Sequence, residues 1–453
     1  MSQNKAPKNN VFYRNQNWEY PRIERGEGVY LYGDNGKKYL DACSGSAVAN
    51  IGHGNKEIAE YTKELMERIA FTHLSRWTVD TIEDCAAKIA EWTPGDLNHS
   101  YFVSGGSEST ESAIKLARQY FVERDGGASS KWKVISKWTS FHGNTLGSLA
   151  ITGITGRKKM YDPMLVQFPK IPQFYHYRNQ WDCETLEQTS IKCAEALEAE
   201  ILRQGAENIM AFISEPVVGS AAPGVHPDPI YFKMVREICD KYDVLWIDDE
   251  VMAGFGRTGK KMAIEHYGNY VPDIMCCAKG MSCGYTPIGA CIANDKVFNT
   301  IMVEGSGSFH HGHTYAGNPL SAGIAHKVMS IMEREGYVEN CAKQGEYLMS
   351  KLETLYKYPI VGDIRGKGLM IGVEFVKDQS TKAPFEPSAK VNSIVTNHCL
   401  DLGIVPYPGS GSADGVRGDH IQLTPPINIS TAEVDELFAG VEEAIKRTCD
   451  QVL

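Results

Sequence analysis

Short apolar runs alternate with amphipathic stretches through the middle of the chain. Runs rich in β-branched residues predict strands at 133–136, 209–214, 244–247, 274–277 and 288–293. Between them, helical periodicity predicts helices over 190–204 and 229–242. This alternation indicates βαβ units, in which helices cover both faces of a mainly parallel sheet. The predicted fold class is therefore α/β, with ligands bound beyond the carboxyl ends of the strands.

The C-terminal third follows a different pattern. A long predicted helix over 319–335 leads into predicted strands at 369–375 and 420–423. A further helical pattern over 431–447 closes the chain. Helices and strands that do not alternate regularly are typical of an α+β lobe.

The N-terminal segment predicts a β-hairpin. Two short runs, 29–32 and 38–41, flank the turn residues Asp34-Asn35-Gly36. We expect this hairpin to pack against the C-terminal lobe instead of forming its own domain. The chain is accordingly divided into an N-terminal segment, residues 1–70, a large domain, residues 71–325, and a smaller domain, residues 326–453.

Length and charge exclude several classes of function. With 453 residues, the chain can bury a large core and form two lobes. Its net charge of −10 disfavours nonspecific binding to nucleic acid or to an anionic membrane. No apolar stretch approaches the roughly 18 residues that span a bilayer, and the polar start, Met1 to Asn10, lacks the apolar core of a signal peptide. We expect a cytoplasmic protein.

Neither the cysteines nor the histidines predict a metal site. The twelve cysteines are scattered without a Cys-x-x-Cys pair, and we expect free thiols. His310, His311 and His313 have the wrong spacing for one helical face, and neither a cysteine nor a carboxylate stands beside them.

Two clusters of polar residues follow predicted strands, and they are the first candidates for catalytic residues. Lys279 comes directly after an apolar run and is followed by Gly280. A lysine in such a place can lose its proton through desolvation, and a neutral lysine can form a Schiff base with a carbonyl. Thirty residues earlier, Asp248, Asp249 and Glu250 follow another apolar run. Three adjacent acids repel one another unless a cation or donor, such as a protonated pyridine nitrogen, pairs with one of them.

A third cluster predicts a phosphate cradle. The apolar run 100–103 leads into a loop of glycines and serines, 104–109, and then into a helical pattern. Free amide N–H groups and the helix dipole at such a junction face an anion. Together the three clusters describe a site for pyridoxal 5'-phosphate, in which the phosphate, the ring nitrogen and the aldehyde each have a partner.

Several stretches then resemble the signature motifs of the class III aminotransferases. These are fold-type I pyridoxal-phosphate enzymes that include the ω-amino acid:pyruvate group. The resemblance extends from about Tyr30 to about Ile445. It is carried by residues 104–108, Glu215-Pro216-Val217, Asp249-Glu250-Val251 with residues 254–259, Ala278-Lys279-Gly280, and residues 312–319.

The resemblance implies roles around the cofactor ring. Lys279 is expected to anchor the cofactor as a Schiff base and to act as general acid and base. Asp249 is expected to keep the proton on the ring nitrogen. Phe141, followed by His142, occupies the place of an aromatic residue, more often Tyr, that stacks on one face of the ring. Val251 is expected to press on the other face.

The resemblance also implies a phosphate site completed by a second subunit. Gly106 and Ser107 are expected to hold the phosphate, and Glu215 to lie near the ring substituents. Thr314 resembles a threonine that reaches the phosphate from the neighbouring subunit. The active site would then need a homodimer, which could assemble further into a tetramer.

Two positions bear on substrate choice. Arg417 lies where ω-aminotransferases carry an arginine that pairs with the acceptor's carboxylate; a plain surface arginine is the alternative. Ala47 stands where several relatives have Trp, which implies a roomier pocket.

The resemblance implies transfer of an amino group from an ω- or β-amino acid or amine to a 2-oxo acid, pyruvate or 2-oxoglutarate, by a ping-pong mechanism through a Lys279 Schiff base. A phospho-lyase on the same scaffold is the alternative. It would need cations near the far end of the substrate, and the sequence offers Arg76, Arg157, Lys158 and Lys159. A catalytically silent scaffold protein is a third possibility, but it would have no physical reason to keep Lys279, Asp249 and Ser107.

Overall fold

The computed structural model of the protein describes residues 10–15, 18 and 20–453. The polar start of the chain, on which the expectation of a cytoplasmic location depends, lies almost entirely outside these residues. The strands are β1 (Ile23–Glu27), β2 (Tyr30–Gly33), β3 (Lys38–Leu40), β4 (Leu97–Val103), β5 (Lys133–Lys137), β6 (Lys170–Ile171), β7 (Ile209–Ser214), β8 (Leu245–Asp249), β9 (Ile274–Cys277), β10 (Gly289–Asn294), β11 (Val361–Lys367), β12 (Met370–Asp378), β13 (Ala383–Pro384), β14 (Tyr407–Gly409) and β15 (His420–Leu423).

The α-helices are α1 (Ser44–Ala47), α2 (Lys56–Arg68), α3 (Asp80–Trp92), α4 (Gly106–Arg124), α5 (Leu146–Ile151), α6 (Thr155–Lys158), α7 (Leu186–Gln204), α8 (Ile230–Lys241), α9 (Asp295–Met302), α10 (Pro319–Arg334), α11 (Tyr337–Leu352), α12 (Val391–Asp401) and α13 (Thr431–Val452). The strands and helices predicted from the hydrophobic pattern are confirmed, with bounds that shift by a few residues.

A seven-stranded sheet forms the centre of the molecule, in the order β4-β10-β9-β8-β7-β5-β6. The pairs from β9 to β6 are all parallel, which confirms the predicted α/β class. β10 is the exception, because it runs antiparallel to both β9 and β4. The connection from β9 to β10 is too short for a crossover helix, so β10 can only turn back beside β9. Since β4 is antiparallel to β10, it points the same way as the parallel strands, and all their carboxyl ends meet at one edge.

Helices cover both faces of this sheet, and β8 is buried at every residue. Leu245 and Ile247 pack in a core cluster with α4. Trp246 points to the opposite face, where its ring stacks on Phe232 of α8 with 5.3 Å between the ring centroids. Successive side chains of a strand alternate between faces, so Asp249, at the end of β8, belongs to the α4 face.

Two smaller sheets lie beside the central one. β2 and β3 form the predicted hairpin, and β1 adds a third antiparallel strand. β11, β12, β15 and β14 form the core of the second sheet. The N-terminal hairpin contacts the C-terminal part of the chain, since the Leu40 amide donates to the Gly403 carbonyl at 2.8 Å. The division into three parts at residues 70 and 325 stays a prediction.

Arg257 links distant parts of the chain from a fully buried position. One guanidinium nitrogen donates to the carbonyls of Leu369, at 3.1 Å, and Pro425. The other donates to Asn50 Oδ1 at 2.6 Å. Burial lowers the pKa of Arg257 to about 10. These acceptors hold the charged group in the interior, where an unpartnered guanidinium would be strongly unfavourable.

All twelve cysteines are free thiols, as expected from the sequence. In the described part of the chain, no group of three or more His, Cys, Asp or Glu side chains is arranged to hold a metal ion. Among the same residues, no helix combines the length and the apolar character needed to cross a bilayer.

Candidate active site

A cavity of about 160 Å³ opens at the carboxyl edge of the central sheet. It is formed by residues that follow β4, β5, β7, β8 and β9, because the ends of these strands meet there. The cavity brings together eight residues singled out from the sequence: Gly106, Ser107, Phe141, His142, Glu215, Asp249, Val251 and Lys279.

Lys279 reaches the cavity from the turn after β9. Its backbone has a φ of 46°, in the left-handed region that costs a non-glycine residue about 1–2 kcal/mol. Burial lowers the pKa of its amine to about 8, although the nearby acids Asp249 and Glu215 act in the opposite direction. Strained backbone and a depressed pKa at one residue are typical of functional sites.

Asp249 pairs with His142. Asp249 Oδ2 lies 2.7 Å from His142 Nδ1, and both side chains are buried. A carboxylate can only accept, so Nδ1 of His142 carries the proton of this bond. The other carboxylate oxygen accepts from the Val251 amide at 3.1 Å. The carboxylate is therefore held in one orientation toward the cavity.

The two acids that flank Asp249 lie on the other face of the sheet. Asp248 follows Trp246 in the alternation of β8. Burial and the neighbouring Glu250 raise the pKa of Asp248 well above its ordinary value, and burial raises the pKa of Glu250 to about 8. Within the described ranges of the chain, both carboxylate oxygens of Asp248 and Oε2 of Glu250 are buried without a hydrogen-bond partner, which disfavours the charged forms of the two groups. The crowding of three acids seen in the sequence is thus divided between two faces.

Glu215 fixes the loop that carries Phe141. Its carboxylate accepts from the Phe141 amide at 3.1 Å and from the Gly219 amide at 2.8 Å. Burial raises the pKa of Glu215 above its ordinary range. The two backbone bonds place the aromatic ring at the cavity wall, which gives Glu215 a supporting role in the geometry of the site.

The start of α4 forms an anion cradle. Gly105, before the first turn, supplies no side-chain cap, so the first amide N–H groups of the helix are left for a ligand. Ser107 Oγ accepts from the Asn144 amide at 3.1 Å. A Cβ on Gly106 would lie 2.6 Å from Val251 Cγ1, and one on Gly143 would lie 2.7 Å from Ser107 Oγ. Glycine at both positions keeps the cradle open.

The residues present fit pyridoxal 5'-phosphate. The uncapped helix start suits a phosphate, the buried carboxylate of Asp249 suits a protonated ring nitrogen, and the amine of Lys279 suits an aldehyde. Further lining residues are Gly143, Asn144, Ser220 and Met252. The sequence reasoning did not assign them, although Asn144 and Met252 each stand close to a recognised motif.

Three predicted residues do not line this cavity. Thr314 is exposed. Arg417 is partly buried, and its side chain pairs with Asp414 at 2.7 Å and with Glu386 at 3.3 Å. Ala47 is buried in a small apolar cluster that includes Met252, so it stands behind the cavity wall.

The four cations considered for a phospho-lyase lie in different environments. The Arg157 guanidinium lies over the Phe141 ring, 4.4 Å from its centroid. The amine of Lys158 is turned inward and donates to the Ala150 carbonyl at 3.1 Å. Lys159 and Arg76 are exposed. Of the four cations weighed for a phospho-lyase, Lys158 is therefore engaged in the fold, and only Arg157 packs on a residue of the cavity wall.

Known proteins with a similar sequence cover nearly the whole chain. The family model for aminotransferase class-III matches residues 13–445. An uncharacterized aminotransferase of Bacillus subtilis, YodT, is 38% identical over 94% of this chain and 95% of its own. Putrescine–pyruvate aminotransferase of Pseudomonas aeruginosa is 32% identical over 95% and 91%. Gamma aminobutyrate transaminase 2 of Solanum lycopersicum is 32% identical over 94% and 91%.

A solved structure agrees with these matches. The omega transaminase from Pseudomonas jessenii, determined in complex with PMP, superimposes with a TM-score of 0.90 at 31% identity, over 96% of this chain and 94% of that one. The chain belongs to the class III aminotransferases, has their fold-type I architecture and is a transaminase dependent on pyridoxal 5'-phosphate.

Proposed function

We propose that this class III aminotransferase moves an amino group from an ω- or β-amino acid or amine to a 2-oxo acid, pyruvate or 2-oxoglutarate, by a ping-pong mechanism. The observation that carries the proposal is the pairing, in one cavity, of a lysine amine of lowered pKa with a buried, oriented carboxylate. Relatives named for putrescine with pyruvate and for gamma aminobutyrate support a donor with a terminal amino group on a short carbon chain.

The protein's part in the chemistry begins with binding. When bound, pyridoxal 5'-phosphate supplies an aldehyde and an electron-accepting ring. The amides at the start of α4, with Ser107, would hold the phosphate. Phe141 and Val251 would cover the two faces of the ring. Asp249, oriented by His142, would hold the proton at the ring nitrogen.

Lys279 would then move a proton at the substrate carbon. A pKa near 8 leaves roughly a tenth of these amines neutral at pH 7, against about one in three thousand at the ordinary value. A neutral amine can accept a proton and return it, which makes Lys279 the general acid and base of the transfer.

Arg417 is proposed to bind the carboxylate of the acceptor. Its ion pairs with Asp414 and Glu386 are exposed, with 42% of the arginine side chain accessible to solvent. Exposed pairs contribute little to stability, so an incoming carboxylate can compete for the guanidinium. The glycine-rich loop 408–418 gives the side chain freedom to swing.

A homodimer is proposed to complete the site through Thr314. Phe71 and Tyr315 lie close to that residue, with 5.7 Å between their ring centroids. They are 38% and 63% exposed, and Trp77, near them in sequence, is 69% exposed. Apolar residues gathered on a surface are typical of protein interfaces, and this patch would bring a partner subunit next to Thr314. Sedimentation at several protein concentrations tests the proposal, and a monomer that retains full activity would contradict it.

A single-turnover experiment tests the reaction. Purified holoenzyme is mixed with each member of an amine panel, without an acceptor, while the cofactor spectrum is recorded. A transaminase leaves pyridoxamine phosphate and one equivalent of carbonyl product, and added pyruvate restores the starting spectrum. A phospho-lyase instead returns to the starting spectrum unaided and releases ammonia and phosphate from a phosphorylated amino alcohol, a result that would overturn the proposal.

A further inference from the structure

In the described part of the chain, Arg157 lies beside the active cavity without an acidic partner. It belongs to α6 and is half-buried, and its guanidinium covers the ring of Phe141, which lines the cavity. Among the residues that the structure describes, no carboxylate acts on it. Burial lowers the pKa of its guanidinium, with Tyr407 acting in the opposite direction and Arg14 in the same one. A partly desolvated cation without a counter-charge favours binding of an anion.

The backbone around Arg157 is held firmly. The amine of Lys158, the next residue, donates to the Ala150 carbonyl at 3.1 Å. Thr155 Oγ1 donates to the Gly415 carbonyl at 3.1 Å, which ties α6 to the loop of Arg417. Arg157 therefore belongs to a helix that contacts the loop of Arg417. The two arginines differ because Arg417 is already paired with two carboxylates.

The surroundings of Arg157 are positive. Arg14, in the N-terminal segment, is exposed and lies close enough for its charge to act on Arg157. The charge of Arg157 is in turn felt at the Lys279 amine. A substrate that carries a second amine would meet repulsion here, whereas one that carries an acid group would be attracted.

We infer that Arg157 is a specificity residue that recognises an acidic group on the amino compound, and that the enzyme prefers amino acids over diamines of the same length. The inference rests on the proposed aminotransferase function and deepens it. A planar guanidinium stacked on an aromatic ring leaves its edge N–H groups free, and these match the two oxygens of a carboxylate or sulfonate.

The test uses three donors with the same carbon chain: 4-aminobutanoate, butylamine and 1,4-diaminobutane. Their kcat/KM values are measured for the holoenzyme with saturating pyruvate, in the natural protein and in Arg157→Gln. We expect the value for 4-aminobutanoate to fall at least tenfold, the value for butylamine to stay within about threefold, and the value for 1,4-diaminobutane to rise. Arg157→Lys should retain part of the preference for the acid.

Arg203→Gln is the matched control, because Arg203 is an exposed arginine of α7 whose partner is Glu200, on the same helix. It should leave all three values unchanged. Equal losses for all three donors in Arg157→Gln would mean that Arg157 only positions Phe141, and would overturn the inference. Unchanged values for all three would overturn it as well.

A binding measurement separates this inference from the proposed reaction. Calorimetric titration of holoenzyme with butanoate and with butanesulfonate needs no turnover. We expect at least one of these anions to bind the natural protein at least tenfold more tightly than Arg157→Gln, and the pair distinguishes a carboxylate from a sulfonate preference. Equal affinities in the two proteins for both anions would refute the anion site even if transamination is observed. A clear difference without turnover would instead count against the proposed reaction.

Discussion

The substitution Asp249→Asn removes one charge from the active cavity and little else. The amide has the shape of the carboxylate, and its oxygen can still accept from the Val251 amide. It cannot provide the negative charge that His142 Nδ1 meets at 2.7 Å. It also cannot hold a proton on a pyridine nitrogen, because a neutral amide does not raise the pKa of that nitrogen.

The size of the effect follows from the burial of the pair. A hydrogen bond to a charged group contributes about 1.5–3 kcal/mol, against about 1 kcal/mol for a neutral one. Cofactor affinity should therefore fall by the difference, about 0.5–2 kcal/mol. Each 1.4 kcal/mol added to the barrier slows a reaction about tenfold, and the lost ring proton acts on the barrier directly. We expect the half-reaction to slow by a factor of at least ten. Complete loss of the proton at the ring nitrogen would slow it by about a hundred or more.

Asp248→Asn is the matched control, one residue earlier in the same strand. Asp248 lies on the face away from the cavity, and burial together with Glu250 raises its pKa. A protonated carboxyl and an amide are both neutral, so the substitution changes the charge of this buried position little. This variant should react within about threefold of the natural protein.

Stopped-flow spectra of both variants with one amine, without acceptor, measure the half-reaction, and titration of the apoenzymes measures cofactor affinity. The reasoning fails if Asp249→Asn slows the half-reaction by less than tenfold, or if Asp248→Asn slows it as much. Either result would show that Asp249 is not the partner of the ring nitrogen.

Three further variants test other parts of the site. Lys279→Ala should abolish turnover but still bind the cofactor, since Ser107 and the helix start hold the phosphate without the amine. Spectra of the purified variant report the bound cofactor. Normal repeated turnover would contradict the catalytic role of Lys279. Gly106→Ala should weaken cofactor binding by about 1–3 kcal/mol, because the new methyl group would lie 2.6 Å from Val251 Cγ1. The double variant Gly106→Ala, Val251→Ala removes this clash and should regain much of the lost affinity, as measured by titration with the cofactor. Arg417→Ala should raise the KM for pyruvate severalfold and spare a neutral aldehyde acceptor, whereas equal damage to both acceptors, with a lower melting temperature, would indicate a structural role.

The sequence predicted the meeting of Lys279, Asp249 and Ser107 because each follows a strand. Strands that run the same way end at the same edge, so local pattern and topology together suffice for these three residues. The antiparallel β10 did not disturb the prediction, since its carboxyl end lies at the opposite edge of the sheet. The alternation of β8 also separates Asp249 from Asp248, which the motif had distinguished without a physical reason.

Other features of the site could not be predicted, because they depend on side-chain packing between distant segments. The bond between His142 and Asp249 joins residues 107 positions apart. The stacking of Arg157 on Phe141 depends on how the irregular stretch around α6 folds back over the cavity. Glu215 matched a motif, but the two backbone amides that it holds have no signature of their own. In the loop 408–418 there is no periodicity from which the direction of Arg417 could be inferred.

The contacts of Arg257 restrict which segments of this enzyme can be exchanged in chimeras or removed in fragments. The acceptors of its buried guanidinium come from Asn50, Leu369 and Pro425. Each lost hydrogen bond to a charged group costs about 1.5–3 kcal/mol, a large fraction of the stability of an ordinary domain. Recombination libraries with breakpoints between these stretches are therefore expected to lose stability when they replace Asn50 or shift the backbone at Leu369 and Pro425.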